Sequence, residues 1–234
     1  MQAKSEQLEQ KIGYTFQDKL LLKRALTHTS FANEQKINQN GHYERVEFLG
    51  DAVLELLTSE YLYKNYPKMV EGEMTKLRSA LVCEGALAKS AQAIDLSSYI
   101  FLGKGEEAMG GRCKDSIVSD VFEAVIGALY IDGGLEAAKA FVQKYVLVDV
   151  EEKRQSYDSK SYLQEVVQKN KLGTVRYVLV RQSGPEHNKE FECAVEINTK
   201  RMGTGIGHNK KEAEQKAAME ALNVLKNVVG ELCI

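Results

Sequence analysis

The chain has 234 residues and a formal net charge of −2, with 44% hydrophobic and 27% charged residues. This length fits one large domain or two smaller ones, and the composition is that of an ordinary globular protein. The balanced charge excludes a strongly basic nucleic-acid-binding protein, although a local basic surface stays possible. No apolar run approaches the roughly 20 residues of a membrane-spanning helix, so we expect no membrane partner.

The cysteines and the amino terminus indicate a cellular compartment. Cys83, Cys113, Cys193 and Cys233 are widely spaced and include no CxxC pair. This spacing favours reduced thiols over a disulfide framework or a zinc site. The first ten residues, MQAKSEQLEQ, are polar and do not resemble a signal peptide. We therefore expect a cytoplasmic protein.

The first part of the chain is predicted to be helical. Two helices are expected over residues 5–31, interrupted at Gly13, with Asp18 capping the second. The polar residues 31–42 favour a loop, and the glycines of residues 103–111 favour a flexible connector. The pattern then predicts further helices, two of which carry acidic residues.

The first acidic helix is predicted over residues 43–63. Glu44, Glu47 and Asp51 fall within about 60° of one another on one face of this helix. Nearly every other direction is apolar, which is typical of a buried helix, and no Lys or Arg follows at i+4. Because like charges on a buried surface raise the free energy, we expect a bound cation to offset them.

A second acidic helix is predicted over residues 114–130. Its surface is almost entirely apolar, but Asp120 and Glu123 lie one turn apart within it. If the two acidic helices pack side by side, Gly50 and Gly127 would permit a close approach. The predicted cluster then consists of Glu47, Asp51, Asp120 and Glu123.

Carboxylate ligands without His or Cys favour a hard cation, Mg²⁺ or Mn²⁺, over Zn²⁺. Such a cation suits phosphate ester hydrolysis, since it activates water and neutralises phosphate. The chain shows no Ser or Cys in a nucleophile pattern. A solvated acidic face is the alternative for each stripe, and spacing alone leaves both interpretations open. Glu55, near the first stripe, is expected to face solvent.

The pattern changes after the charged stretch 151–158, which is the best linker candidate. A short helix around residues 162–167 is followed by three predicted strands between residues 176 and 206. An Ala-rich helix over residues 210–228 completes an αβββα order.

Four residues of this C-terminal region could contact RNA. Lys210 and Lys211 begin a helix, where the macrodipole disfavours cations unless an anion binds there. His187 lies in a loop between two strands, and Gln164 lies on the exposed side of the first helix. These positions could meet successive grooves of an A-form duplex. A solvated lysine pair is the alternative.

Three groups of motifs resemble the ribonuclease III family. The segment ERVEFLGDAVL is similar to the family signature, and KDSIVSDVFEAVIGALYIDGG is similar to its second acidic motif. The segments DSKSYLQE, GPEHNKEF and KKEAEQKAA resemble its double-stranded RNA-binding domain. One departure is Asn209 where many members have Ser, but Asn caps a helix equally well. The resemblance covers nearly the whole chain.

The resemblance implies a homodimeric, Mg²⁺-dependent endonuclease that cuts double-stranded RNA, with Mn²⁺ able to substitute. It implies 5′-phosphate and 3′-hydroxyl ends, and processing of ribosomal RNA precursors and other structured transcripts. By resemblance, the metal-binding residues are Glu47, Asp51, Asp120 and Glu123. The residues implied in catalysis are Asp51, Glu123, Glu44 and Glu71. The implied RNA contacts are Gln164, His187, Lys210 and Lys211, and the implied dimer residue is Phe48.

We therefore predict an all-α endonuclease domain over residues 1–150, a linker over 151–157 and an α+β (αβββα) double-stranded RNA-binding domain over 158–230. One alternative is an RNA-binding protein whose first domain only dimerises, and the intact carboxylates argue against it. The other is a metalloenzyme that acts on a small phosphorylated substrate, and the RNA-binding unit argues against it.

Overall fold

A computed structural model describes residues 2–38, 41–185 and 189–229 of the chain. The backbone contacts divide it into two units, Met1–Val148 and Asp149–Ile234. His187, one of the predicted RNA contacts, lies outside the described residues. Over the ranges that are described, no helix combines the length and the apolar character that crossing a membrane requires.

The first unit is built from helices, as predicted. They are α1 (Gln2–Ile12), α2 (Lys19–Ala25), α3 (Thr29–Glu34), α4 (Glu44–Asn65), α5 (Glu71–Val82), α6 (Glu84–Gln92), α7 (Lys104–Ala108) and α8 (Asp115–Tyr145). Short 3₁₀ turns lie at Leu96–Tyr99 and Gly111–Cys113. Asp18 caps α2 as expected, because its carboxylate accepts a hydrogen bond from the Leu20 amide.

Two segments predicted as irregular contain short helices. Helix α3 begins inside the stretch where a helix end and a loop were expected, because the His28 imidazole caps it by accepting from the Ser30 amide at 3.1 Å. Helix α7 lies in the glycine-rich connector. Polar and glycine-rich composition predicted irregular structure at both places, and local helix formation overrode it.

Helix α8 is interrupted a few residues beyond the predicted end of the second acidic helix. Gly134 has φ 73° and ψ −172°, a conformation outside the helical region, and the chain resumes a helix after it. Just before the break, the Asp132 carboxylate accepts hydrogen bonds from the Tyr14 hydroxyl at 2.9 Å and from the amides of Gln17 and Asp18. Through these hydrogen bonds, Asp132 connects α8 to residues 14–18, which precede α2.

The core of the first unit lies where α4 packs against α8. Leu54 on α4 and Phe122 and Ile126 on α8 are completely buried. Helix α4 is nevertheless buried on one side only, since Phe48 is 81% exposed and Tyr63 is 74% exposed. The prediction of nearly all-round burial is therefore wrong for the single chain.

The second unit has the predicted αβββα order. Its elements are α9 (Val150–Tyr157), α10 (Ser159–Lys169), β1 (Val175–Ser183), β2 (Glu190–Ile197), β3 (Lys200–Gly207) and α11 (Lys210–Val229). The strands form an antiparallel sheet in the order β1-β2-β3, with a register shift in each pairing. The segment predicted as a linker is helical, and Arg154 in α9 pairs with Glu165 in α10 at 2.7 Å.

Helices α10 and α11 form a hydrophobic core with the sheet. Leu163 and Val167 from α10 and Val195 from β2 are fully buried in it. Strand β3 reaches α11 through alternate glycines, and a Cβ added to Gly205 would overlap backbone atoms of Ala213 and Ala217. The backbones of β3 and α11 are therefore in direct contact.

Candidate active site

Two glycines create the contact between the acidic helices α4 and α8. A Cβ on Gly50 would overlap the carbonyl oxygen of Glu123, and a Cβ on Gly127 would overlap the carbonyl oxygen of Val46. The close approach expected for these glycines is therefore present. Glu123 takes part in this contact through its carbonyl oxygen. Glu47 and Asp51 lie within one helical turn of Gly50, and Asp120 lies within one turn of Glu123.

The carboxylates around this contact are close enough to change one another's ionisation. Burial, followed by the charges of Asp120, Glu44 and Asp51, raises the pKa of Glu47 from 4.5 to about 7. Burial is also the main reason why the pKa of Glu123 rises from 4.5 to about 8. The charges of Asp51, Glu47 and Asp120 then add to the effect on Glu123. The two helices thus bring the predicted cluster into one electrostatic group.

Asp120 has a hydrogen-bonding partner to which the sequence pattern assigned no role. The Tyr43 hydroxyl donates to Asp120 Oδ2 at 3.2 Å, and Tyr43 is only 5% exposed. Burial raises the pKa of Asp120, and the hydrogen bond from Tyr43 opposes that rise. Burial and the charge of Asp120 also raise the pKa of Tyr43, so its hydroxyl stays a donor. The only sequence signal was its place, directly before the acidic motif.

The donor set fits a hard divalent cation. Across the described ranges, no Lys or Arg forms a salt bridge with Glu47, Asp51, Asp120 or Glu123. Within the same ranges, no three His, Cys, Asp or Glu side chains converge closely enough to form a ready-made ligand set. Like charges repel one another, which favours separated side chains until a cation compensates them. Carboxylate oxygens are the ligands that Mg²⁺ and Mn²⁺ prefer.

The other acidic residues near α4 differ in their surroundings. Glu44 is exposed, its Oε2 lies 3.8 Å from His42 Nδ1, and its charge raises the pKa of Glu47. Glu71 stands at the exposed start of α5, where Thr75 donates to its carboxylate at 3.1 Å, and it does not contribute to the raised pKa of Glu47. Glu55 pairs with Arg78 at 2.8 Å, and its charge is the smallest of those that raise the pKa of Glu123.

An exposed apolar face lies on α4 beside its acidic residues. Phe48 is 81% exposed, and the exposed apolar residues Leu56 and Tyr63 lie eight and fifteen positions further on. At 3.6 residues per turn, these three side chains share one face of the helix. An apolar face of this kind indicates an interaction surface.

The predicted RNA contacts of the second unit are exposed where they are described. Gln164 lies on the solvent side of α10, and Lys210 and Lys211 are the first two residues of α11. Asn209 caps α11, because its Oδ1 accepts from the Glu212 amide at 2.9 Å. The lysines therefore lie at a capped helix N-terminus, which is suited to binding phosphate.

Comparisons with known proteins agree with these two units. A ribonuclease-III-like family model matches residues 18–150, and a double-stranded RNA binding motif matches residues 159–225. Ribonuclease 3 of Geobacillus kaustophilus is 47% identical over 226 residues, covering 96% of this chain and 92% of the relative. Ribonuclease 3 of Shouchella clausii is 48% identical over 215 residues, covering 91% and 83%.

A solved structure of the nuclease domain of ribonuclease III from Campylobacter jejuni has a TM-score of 0.56 and 45% sequence identity. The match covers 60% of this chain and 94% of that domain. Both family models are matched in order, and the identity to the relatives extends over nearly the whole length. The chain therefore belongs to the ribonuclease III family.

Proposed function

We propose that the chain cuts double-stranded RNA at the carboxylate cluster between α4 and α8. Its family consists of double-stranded RNA endonucleases that depend on a divalent metal ion. The observation that supports this site is the group of carboxylates around the Gly50–Gly127 contact, in which the pKa values of Glu47, Asp120 and Glu123 are raised and with which no Lys or Arg among the described residues forms a salt bridge. The proposed metal-binding residues are Glu47, Asp51, Asp120 and Glu123.

The proposed cation is Mg²⁺, with Mn²⁺ able to substitute, because all four donors are carboxylates. When bound, such an ion supplies an activated water and neutralises charge on the phosphate. This chemistry would serve in-line hydrolysis at phosphorus, which would leave 5′-phosphate and 3′-hydroxyl ends. Asp51 and Glu123 act at the reacting phosphate, Glu44 contributes to the site or to substrate placement, and Glu71 is a further carboxylate that assists the site.

The second unit binds the duplex in this proposal. Lys210 and Lys211 contact phosphates, and Gln164 and His187 contact the grooves on either side. Such contacts recognise the A-form shape and the 2′-hydroxyl groups instead of a base sequence. Ribosomal RNA precursors and other structured transcripts provide duplexes of this kind. The proposed domains are residues 1–150 and 158–230, joined by residues 151–157, and the proposed compartment is the cytoplasm.

The nuclease units pair as a homodimer through the exposed face of α4. The Campylobacter jejuni structure concerns flexibility in a region involved in dimer formation of its nuclease domain. On this chain, Phe48, Leu56 and Tyr63 form an exposed apolar face that a second copy would cover. Phe48→Glu would place a charge in that interface, and sedimentation should then show a monomer.

The test is cleavage of a long RNA duplex by the full chain, with Mg²⁺ and with EDTA. Glu123→Gln keeps the shape of the side chain but removes its charge. We expect it to lower cleavage roughly 10²–10³-fold, as the loss of several kcal/mol of metal-dependent stabilisation requires. Duplex binding, measured by gel shift in Ca²⁺, should remain close to that of the parent.

Glu55→Gln is the matched control, because Glu55 is a neighbouring carboxylate on α4 that pairs with Arg78. It should cut RNA at nearly the parent rate. Cleavage by Glu123→Gln at the parent rate would show that the cluster is assigned wrongly. The absence of any metal-dependent product from the parent chain would leave an RNA-binding protein that only dimerises.

A further inference from the structure

Tyr43 links the two acidic helices by a single, partly buried hydrogen bond. Its hydroxyl donates to Asp120 Oδ2 on α8, while its backbone directly precedes α4. The ring is 5% exposed, so little water competes for the phenol. A hydrogen bond to an ionised carboxylate is stronger and more directional than one between neutral groups. The phenol can therefore set the orientation of that carboxylate.

The backbone of Tyr43 is held from both sides. Its amide donates to the carbonyl oxygen of Thr27 at 3.0 Å, which ties it to the segment after α2. Its carbonyl oxygen accepts from the amides of Val46 at 2.8 Å and Glu47 at 2.9 Å, in the first turn of α4. The residue that contacts Asp120 thus also anchors the turn that carries Glu47.

The ring of Tyr43 is held as well. Its centroid lies 5.6 Å from the centroid of the His28 ring, with the planes tilted by 37°. His28 is itself fixed, because its Nδ1 accepts from the Ser30 amide at 3.1 Å and its amide donates to the carbonyl oxygen of Phe101 at 3.0 Å. A phenol supported in this way does not need to be ordered when a ligand binds, which lowers the entropic cost of using it.

We propose that Tyr43 is a positioning residue that holds the Asp120 carboxylate ready for a divalent cation. This inference rests on the proposed metal site. Tyr43 does not touch the cation or the RNA; it acts through Asp120. Hydrogen-bonding partners of metal ligands typically change metal affinity or activity by about 10–100-fold when they are removed. The other members of the cluster have no such buried donor among the described hydrogen bonds.

The test is Tyr43→Phe in the full chain, which removes one oxygen atom and keeps the ring. Without RNA, the dissociation constant for Mg²⁺, measured by calorimetry, should rise by about tenfold. In cleavage assays, the Mg²⁺ concentration for half-maximal rate should rise by a similar factor. The rate at saturating Mg²⁺ should stay within about threefold of the parent rate, because the chemistry itself is unchanged.

Tyr14→Phe is the matched control. It removes the same kind of bond, from a tyrosine hydroxyl to a carboxylate of α8, since Tyr14 donates to Asp132 at 2.9 Å. It should lower the thermal stability about as much as Tyr43→Phe does, but leave the affinity for Mg²⁺ unchanged. An equal loss of Mg²⁺ affinity in both variants would overturn the positioning role, because general destabilisation would then explain it.

Asp120→Asn separates this inference from the proposed site. If Asp120→Asn binds Mg²⁺ and cuts RNA like the parent, the proposed metal site is wrong. If Asp120→Asn loses Mg²⁺ binding while Tyr43→Phe binds like the parent, only the role of Tyr43 is wrong. Tyr43→His, which keeps a ring and an N–H donor, provides a second variant should Tyr43→Phe not fold. The imidazole is shorter than the phenol, so its N–H cannot reach Asp120 as the hydroxyl does. The Mg²⁺ affinity should therefore fall below that of the parent by a factor similar to that of Tyr43→Phe, and an affinity equal to the parent's would contradict the inference.

Discussion

Both units of this protein use glycine to bring two backbones into direct contact, but they put different side chains around that contact. In the first unit, Gly50 on α4 meets the backbone of Glu123 on α8. In the second unit, Gly205 on β3 meets the backbones of Ala213 and Ala217 on α11. A side chain at either glycine would collide with backbone atoms, which cannot move aside as a flexible side chain can.

The surroundings decide what each contact achieves. Around Gly205, the neighbours on α11 are fully buried alanines, so close packing there removes apolar surface from water. Around Gly50, the neighbours are carboxylates whose pKa values rise because of burial and mutual repulsion. The contact at Gly205 therefore stabilises its unit, whereas the contact at Gly50 concentrates charge at a cost in stability. The following predictions test this difference, from the largest expected effect to the smallest.

Gly50→Ala should separate α4 from α8. The added Cβ would overlap the Glu123 carbonyl oxygen, and overpacking of this kind costs about 3 kcal/mol or more when backbone must shift. Cleavage should be abolished, because the carboxylates would move apart, while duplex binding by the second unit should persist. Thermal denaturation, cleavage and gel shift measure the three effects. Loss of duplex binding with intact cleavage would contradict the assignment of the Gly50 contact to the carboxylate cluster.

Gly85→Ala serves as its control. Gly85 lies near the start of α6, and a Cβ there would meet no atom within 4 Å. This substitution should stabilise the protein by roughly 0.4–1 kcal/mol, because it restricts the unfolded chain. Cleavage should not change.

Gly205→Ala should impair duplex binding, which Gly50→Ala is expected to leave intact. The Cβ would overlap backbone atoms of α11, so we expect the second unit to lose about 2–3 kcal/mol of stability. Duplex binding should weaken with the disruption of this unit. The thermal transition of the nuclease unit should stay at its parent temperature, as calorimetry can show. A shift of both transitions would mean that the two glycine contacts are not independent.

Lys210→Ala combined with Lys211→Ala should weaken duplex binding without unfolding the second unit. Both lysines are exposed at the start of α11, where they are proposed to bind phosphates. The slope of log affinity against log salt should decrease by about 1 for each lysine–phosphate interaction removed, and binding should weaken uniformly across sequences. Lys169→Ala provides the control, because Lys169 is the last residue of α10 and does not lie at a helix N-terminus. An unchanged salt slope in the double variant would count against phosphate binding by these lysines.

The smallest expected effect is the pH dependence of the metal-free nuclease unit. Glu47 and Glu123 have pKa values of about 7 and about 8 in the folded chain against 4.5 ordinarily, so the folded state binds more protons between these values. Their contribution is fully present below pH 4.5 and is lost as pH rises through 7 to 8. In EDTA, the melting temperature should therefore fall over this range.

Glu123→Gln should flatten that decline. After a discount for solvent exposure, the gain at pH 8 should be on the order of 1 kcal/mol, or roughly 2–4 °C in melting temperature. Thermal denaturation of the parent and the variant at pH 5 and pH 8 measures it. A parent whose melting temperature rises over the same range would show that the carboxylates do not repel one another in the folded state.

The sequence predicted correctly those features that depend on the spacing of nearby residues. The αβββα order followed from the alternation in β2 and the Ala-rich pattern of α11, and the acidic spacing on α4 and α8 identified both carboxylate pairs. It failed where capping or tertiary burial decides. His28 starts α3 where a helix was predicted to end, because its imidazole caps the new helix. Tyr43 received no role, since its partner Asp120 is 77 residues away.

The sequence by itself determined the αβββα order of the second unit, the spacing of the acidic residues on α4 and α8, and the family, because these depend on residue types at short, regular spacings. Only the tertiary structure decided which carboxylates influence one another, which tyrosine supports them and which face of α4 stays exposed. Those features depend on distances between residues far apart in the chain. The contact at Gly50 and Gly127 fixes these distances, since two helices approach this closely only where neither has a side chain in the way.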